Sequence, residues 1–185
     1  MKSTSDNRRM KRIAIAAVAF VLAASPQAVW AIDETELTND RIEYIRNNCG
    51  DTQTALGGIR ATDKVAYVNI GQQLDTLSNR LMAPMNSRVA INKLDGVALT
   101  KTTVDFNAEI KRFQALYREY EQGVDVTVAM GCYNQPVEFY DNLTALLQKR
   151  VDVRASFERL SLLVAQYRAN VTSLRDQALA GSQQP

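Results

Sequence analysis

The chain has no histidine, so it lacks the side chain that most often acts as a general base or a metal ligand near neutral pH. Neither a Ser-His-Asp nor a Cys-His catalytic set can form without it, and two cysteines are too few for a zinc site. The sequence also has no glycine-rich phosphate loop and no calcium-loop spacing of acids. It therefore predicts a protein that is not an enzyme and has no catalytic residue, cofactor or metal ion.

Glycine and proline are scarce, with 8 and 4 residues among 185, which excludes a collagen-like repeat and a long disordered tail. Hydrophobic residues make up 46% of the chain and charged residues 23%. This composition is typical of one globular domain of ordinary size.

Residues 1–31 have the three parts of a secretory signal peptide. Five basic residues and one acid lie within the first 12 positions, and an apolar run follows over residues 13–24. Val29 and Ala31 then occupy the small-residue positions of a cleavage site, so we expect cleavage after Ala31. The alternative is an uncleaved membrane anchor, because residues 13–32 carry no charge over a length that can span a bilayer.

The positive charge of the chain comes from this N-terminal region. The whole sequence has a net charge of +2 and a pI of 8.6, whereas residues 32–185 contain 17 basic and 19 acidic residues. We therefore expect the exported part not to bind nucleic acid. Contact with a membrane is expected only through the N-terminal segment, if that segment is not cleaved.

The exported part contains Cys49 and Cys132 and no other cysteine. In an oxidising compartment such a pair predicts a disulfide bond. The alternative is a pair of reactive thiols, which would normally need CxxC spacing or a basic partner, and neither is present. A bond between these residues would close a long loop and contribute about 4–5 kcal/mol of stability.

Residues 136–179 carry an apolar stripe at steps of four and three, which is a heptad pattern. Leu147, Val151 and Leu163 widen the stripe, which suits a bundle of three or more helices better than a bare dimer. The positions of the stripe are Phe139, Leu143, Leu146, Arg150, Val153, Phe157, Leu160, Val164, Tyr167, Val171, Leu174 and Ala178.

Two more long helices are predicted upstream, over residues 62–94 and 99–131, with a turn at Asp95 and Gly96 between them. Pro84 lies within the earlier helix and is expected to kink it. The stripe of the earlier helix steps mostly by four and comprises Ala66, Ile70, Leu74, Leu77, Leu81, Met85 and Val89. The stripe of the later helix comprises Leu99, Thr103, Phe106, Ile110, Phe113, Tyr117, Tyr120 and Val124.

These elements predict an all-α fold. Residues 32–61 are expected to form short helices and a bend at Gly57 and Gly58, which would let Cys49 fold back towards Cys132. Residues 62–180 are expected to form an elongated antiparallel three-helix bundle or coiled coil, and residues 181–185 a disordered tail. The alternative to the bend is one continuous helix from residue 51, which requires a longer second helix to meet the disulfide.

Arg150 is the one charged residue within the stripe of the last helix. Its guanidinium group can extend outward to solvent or pair with an acid on another helix. It can also fix the register of the helices, as isolated polar seam residues do in coiled coils.

Two stretches, LMAPMNSRVAINKLD (residues 81–95) and CYNQPVEFYDNL (residues 132–143), resemble uncharacterised secreted coiled-coil proteins of ultrasmall, reduced-genome bacteria. The resemblance covers about residues 46–175. It implies export and a helical form, and it carries no activity and no site residues to this chain.

The sequence thus predicts a non-enzymatic, exported spacer or protein-interaction module at the cell envelope. Its partner would be an envelope or extracellular protein, or a second copy of the chain. A second hypothesis is an envelope chaperone or a carrier of lipid or another hydrophobic ligand, with a groove between helices. A third, an enzyme acting on cell-wall or protein substrates, has no catalytic motif behind it.

Overall fold

The computed structural model describes residues 37–181, and every regular element in this range is helical. The predicted signal peptide or anchor of residues 1–31 and residues 182–185 of the predicted tail lie outside the described residues. The elements are α1 (Asn39–Asn47), α2 (Cys49–Asp75), a π-helical segment (Thr76–Met82), α3 (Ala83–Ile91), α4 (Val97–Ala129) and α5 (Pro136–Gly181). Residues 49–91, which run through α2, the π-helical segment and α3, are called the first long segment below.

The predicted bend at Gly57 and Gly58 is wrong, because α2 runs through both glycines without a break. Each glycine lowers helix stability by about 1 kcal/mol relative to alanine, but nothing at these positions requires a different backbone. A Cβ atom added at either glycine would meet no atom within 4 Å. Leu56, the residue before them, is buried, and its packing keeps this part of the chain helical. The alternative of a continuous helix describes the structure better.

The helix around Pro84 changes its hydrogen bonding rather than ending. Proline has no N–H to donate, and its ring clashes with the carbonyl group four residues earlier in an α-helix. Just before Pro84 the turns widen, and the N–H of Ala83 donates to the carbonyl of Ser78, five residues back. The sequence predicted a kink at Pro84, and the structure places the π-helical segment directly in front of it.

The wider turns also change which residues face the core. Ser78 and Met82 are buried, whereas Leu81, which the predicted stripe placed inside, is 56% exposed. A π-helical turn takes up more residues than an α-helical one. The buried positions therefore follow one another at steps of four, from Leu74 to Ser78 to Met82.

The turn between α3 and α4 lies where the sequence predicted it. The Asp95 carboxylate accepts a hydrogen bond (3.1 Å) from the N–H of Val97, the first residue of α4. Gly96 is in close contact with α3, since a Cβ atom there would lie 2.7 Å from Cγ1 of Val89. A larger residue at this position would push the two helices apart.

The core has two clusters, one towards the α3–α4 turn and one around the disulfide. The predicted stripe of α4 is confirmed, because all its members are buried or half-buried. The first cluster comprises Leu74, Met82, Val89, Leu99, Phe106, Phe113, Leu160, Tyr167 and Leu174. The second comprises Leu56, Tyr117, Tyr120, Val124, Cys132, Phe139 and Leu146.

Among the described residues, no helix is both long enough and apolar enough to cross a membrane.

Candidate functional site

The two cysteines form a disulfide, as the sequence predicted. Cys49 is the first residue of α2 and Cys132 follows α4, and their Cα atoms lie 5.6 Å apart. Cys132 is completely buried and packs in the second core cluster with Val124 and Phe139. Both cysteines of the sequence are therefore used in a structural bond, and the alternative of two reactive thiols does not apply.

Polar side chains add to this connection between α2 and the end of α4. The amide of Gln53 donates to the carbonyl oxygens of Val128 (3.2 Å) and Met130 (2.8 Å). These are backbone acceptors where α4 ends, and such groups need a partner when they have no intrahelical one. On α1, Nε of Arg46 donates to the carbonyl of Tyr133 (3.3 Å). The disulfide and these three hydrogen bonds together fix α1 and α2 to the end of α4 and the loop after it.

Arg150 pairs with an acid on another helix, which was one of the three roles considered for it. One guanidinium nitrogen lies 3.2 Å from Oδ1 of Asp63, and the hydroxyl of Tyr120 donates to Oδ2 of the same carboxylate (2.6 Å). The cluster of Asp63, Tyr120 and Arg150 thus joins the first long segment, α4 and α5. The side chain of Arg150 is 48% exposed and that of Asp63 is 21% exposed, so we expect the ion pair to contribute less than about 1 kcal/mol.

An aromatic stack lies beside this cluster. The rings of Tyr67 and Tyr117 are parallel, with centroids 3.7 Å apart, and Tyr117 also contacts Tyr120. Burial, together with the charges of Glu121 and Asp63, raises the pKa of Tyr117 to about 12. Burial and the hydrogen bond to Asp63 raise the pKa of Tyr120 even further. Both phenols therefore stay protonated near neutral pH, and the hydroxyl of Tyr120 donates to Asp63.

A second polar cluster lies around Asn86 of α3, beside the first core cluster. The amide nitrogen of Asn86 donates to the hydroxyl of Thr103 (2.9 Å), and its amide oxygen accepts from the hydroxyl of Tyr167 (2.8 Å). The same Tyr167 hydroxyl lies 3.2 Å from the carbonyl of Met82. Asn86 thus bridges α4 and α5, and a shift of any of the three helices would leave a buried polar group without a partner.

Two single hydrogen bonds also connect neighbouring helices near this cluster. Ser78, in the π-helical segment, donates to the amide oxygen of Asn107 (2.6 Å). Further along α4, the Glu109 carboxylate accepts from the hydroxyl of Ser156 (2.5 Å). Within residues 37–181, no buried side-chain nitrogen or oxygen lacks a hydrogen-bond partner. The polar residues of the core therefore specify one register, because displaced partners could not be satisfied.

Sequence reasoning missed most of these polar positions. Ser78 and Asn86 were passed over because their neighbours Leu77, Leu81 and Met85 continued an apolar stripe. The available signal was the run of four-residue steps from Ser78 through Met82 to Asn86, which places these residues on one face of a widened helix.

Two apolar residues of α5 that the sequence predicted to be buried lie on its exposed outer face. Leu147 and Val151 were expected to widen the buried stripe, but they are 55% and 57% exposed. On a regular helix Leu147 lies about 100° from Leu146, and Val151 lies about 160° from Val153. Leu146 and Val153 face the core. Leu162, further along the same outer face, is 70% exposed, and Arg154 and Glu158 form an ion pair between these apolar residues (2.9 Å).

No group of three or more cysteine, aspartate or glutamate side chains in residues 37–181 lies close enough to hold a metal ion. The described part of the chain therefore offers structural polar clusters and an outer surface as its candidate sites. Comparisons of the sequence with protein-family models, with curated proteins and with solved structures find no match.

Proposed function

We propose that this chain is an exported, non-enzymatic helical spacer and protein-interaction module of the cell envelope. The observation that carries the proposal is the repetition of cross-links between the same long helices. The disulfide joins the first long segment to the loop after α4, and the clusters around Asp63 and Asn86 each join the first long segment to α4 and α5. Such a body resists bending, because each cross-link would have to lose its own contacts before the helices could separate.

We further propose that the first long segment, α4 and α5 form an elongated antiparallel three-helix bundle. The order of the contacts supports this arrangement. Gln53 contacts Val128 and Asn86 contacts Thr103, so early residues of the first long segment meet late residues of α4. The first long segment and α5 run in the same direction, because Asp63 pairs with Arg150 and Met82 with Tyr167.

Export is supported by the disulfide, since such bonds persist outside the reducing cytosol. The predicted cleavage site after Ala31 would release a chain that begins at Ile32. N-terminal sequencing of the protein recovered from intact cells distinguishes cleavage from an uncleaved anchor. A native protein with free thiols would contradict export into an oxidising compartment.

Small-angle scattering of the purified, oxidised protein tests the spacer function. The 46 residues of α5 span about 69 Å, and a rod of this length has a radius of gyration of about 20 Å. A compact globule of about 150 residues has a radius of gyration of only about 15 Å. A value near the globular one would overturn the proposal.

The second hypothesis, a chaperone or lipid carrier, requires an open apolar groove between the helices. Phe106, Leu99 and Leu160 are almost completely buried in the first core cluster and occupy the space that a ligand would need there. The filled core gives this hypothesis less support than the spacer. Binding of a hydrophobic dye or co-purification of lipid would favour the carrier.

A further inference from the structure

The face of α5 that points away from the core carries a second stripe of its own. Leu147, Val151, Arg154, Glu158, Leu162 and Ala165 follow one another at steps of three and four residues. At about 100° per residue they lie within an arc of about 80°. All six are exposed, and three of them are large or medium-sized aliphatic residues. We call this set the outer stripe.

The outer stripe is complementary to itself when two copies run in opposite directions. Setting Arg154 of one copy opposite Glu158 of the other also brings Val151 opposite Leu162 and Leu147 opposite Ala165. Opposite charges then meet, apolar residues meet, and the large Leu147 faces the small Ala165. A parallel arrangement would place Arg154 against Arg154 and Glu158 against Glu158, and like charges at such close distance are unfavourable.

We propose that the outer stripe of α5 binds the same stripe on a second copy of this chain, antiparallel and about a two-fold axis. In such an interface every contact occurs twice, since residue i meets residue j and residue j meets residue i. The two Arg154–Glu158 pairs, already formed within each helix at 2.9 Å, become one four-charge network between Val151 and Leu162. The proposal names a partner for the interaction module and so rests on the proposed function.

The expected interaction is weak. A contact made by one face of a single helix lies at the small end of specific interfaces, and the exposed ion pairs add little on their own. We expect a dissociation constant on the order of 10 μM. Dimerisation would therefore depend on local concentration, which is high where chains are held at an envelope.

Charge reversal gives the sharpest test, read by sedimentation velocity of the full exported chain between about 1 and 100 μM. Arg154→Glu and Glu158→Arg each place like charges opposite one another twice, and each should raise the dissociation constant about tenfold or more. The double variant R154E/E158R restores opposite charges and should restore the wild-type constant. Circular dichroism checks that each variant is as helical as the wild type.

The matched control is Lys101→Glu on α4. Lys101 and Asp105 form an ion pair of the same i, i+4 spacing (2.7 Å), also exposed, but lie outside the outer stripe. This variant should dimerise like the wild type. A monomer throughout the concentration range overturns the proposal, as does a dimer that Arg154→Glu leaves intact or that Lys101→Glu disrupts.

The register is tested with a short bis-maleimide cross-linker. A mixture of Leu147→Cys and Ala165→Cys chains should cross-link, because these positions face one another. Either variant alone should not, since two copies of residue 147 lie about 27 Å apart along the antiparallel helices. Cross-linking of either variant alone would overturn the register. An elongated monomer in scattering would overturn the self-association while leaving the spacer function intact.

Discussion

The first long segment and α5 contribute to the same core, but they keep their buried faces inward in different ways. In α5 the buried hydrophobic residues Phe139, Leu146, Leu160, Tyr167 and Leu174 are separated by seven residues or a multiple of seven. This spacing fits an α-helix that winds slightly around its neighbours. α5 accordingly remains one uninterrupted α-helix over 46 residues.

The first long segment has a different spacing and a different backbone. Ile70, Leu74, Ser78 and Met82 face the core at three successive steps of four. On a regular α-helix, each such step turns the stripe by about 40°, so three steps would turn it by about 120°, away from the core. The π-helical segment absorbs this rotation. The spacing of buried residues, and not proline alone, therefore determines where a long helix departs from α geometry.

The strongest test of this comparison is to delete one residue from each region. Removal of Ser161 from α5 would rotate everything after it by about 100° and take Tyr167 and Leu174 out of the core. We expect a loss of at least about 4 kcal/mol in the free energy of unfolding. Urea unfolding followed by circular dichroism measures it.

Removal of Asn79 from the π-helical segment should cost much less. It converts the wide turns to α-helical ones without turning α3 away from the core, and the side chain lost makes only an exposed hydrogen bond to Asp75 (2.6 Å). The deletion is best made in a Pro84→Ala background, because proline within an α-helix costs about 3 kcal/mol. Pro84→Ala alone is the control, and equal losses for the two deletions would contradict the comparison.

Loss of the disulfide should have the next largest effect. Cys49 and Cys132 are 83 residues apart in sequence, and opening a loop of this size costs about 4.5 kcal/mol in the chain-entropy model. We expect this loss of stability to be uneven along the chain, since the bond fixes the start of the first long segment and makes no direct link to α5. In Cys49→Ser/Cys132→Ser, amide hydrogen exchange should rise most in residues 49–56 and least in residues 160–174.

Reduction of the wild type should reproduce the exchange pattern of the double variant, and a reductant should leave the double variant unchanged. Uniform acceleration along the whole chain would mean that the two regions unfold as one unit. In that case the disulfide would stabilise the entire fold and not the first long segment in particular.

The sequence predicted the parts of the fold that depend on regular spacing. The stripe of α4 and the pairing of the cysteines are confirmed, because burial at steps of three and four and a single pair of cysteines leave few alternatives. The bend at Gly57 and Gly58 was predicted so that Cys49 could reach Cys132, and it is wrong because Cys49 reaches Cys132 from a helix that runs through both glycines.

The polar clusters depend on which residues meet across helices, and that depends on register. Asp63 and Arg150 are 87 residues apart, and so are Arg46 and Tyr133. If one helix were shifted by one turn relative to its neighbour, each of these residues would meet a different partner. No pattern within one helix fixes that turn, so the sequence leaves three roles open for Arg150.

The smallest expected effect is a loss of stability at alkaline pH. It is also the effect most specific to the first long segment. The three tyrosines whose pKa is raised, Tyr117, Tyr120 and Tyr167, all contact this segment, through Tyr67, Asp63 and Met82 respectively. Burial is the main cause in each case. The folded state thus favours the neutral phenol, whose ordinary pKa is about 10.

A pKa that is raised on folding contributes stability below the pKa of the unfolded chain and loses it as the pH rises further. We therefore expect the stability supplied by these hydroxyls to be complete at pH 9 and to fall between about pH 10 and pH 12.

The triple variant Y117F/Y120F/Y167F should lose less stability than the wild type between pH 9 and pH 11 in urea unfolding. Tyr133→Phe, at an exposed tyrosine, controls for substitution itself. If the triple variant and the wild type lose the same amount, these hydroxyls do not hold the first long segment against α4 and α5, and its attachment must come from its other contacts and the disulfide.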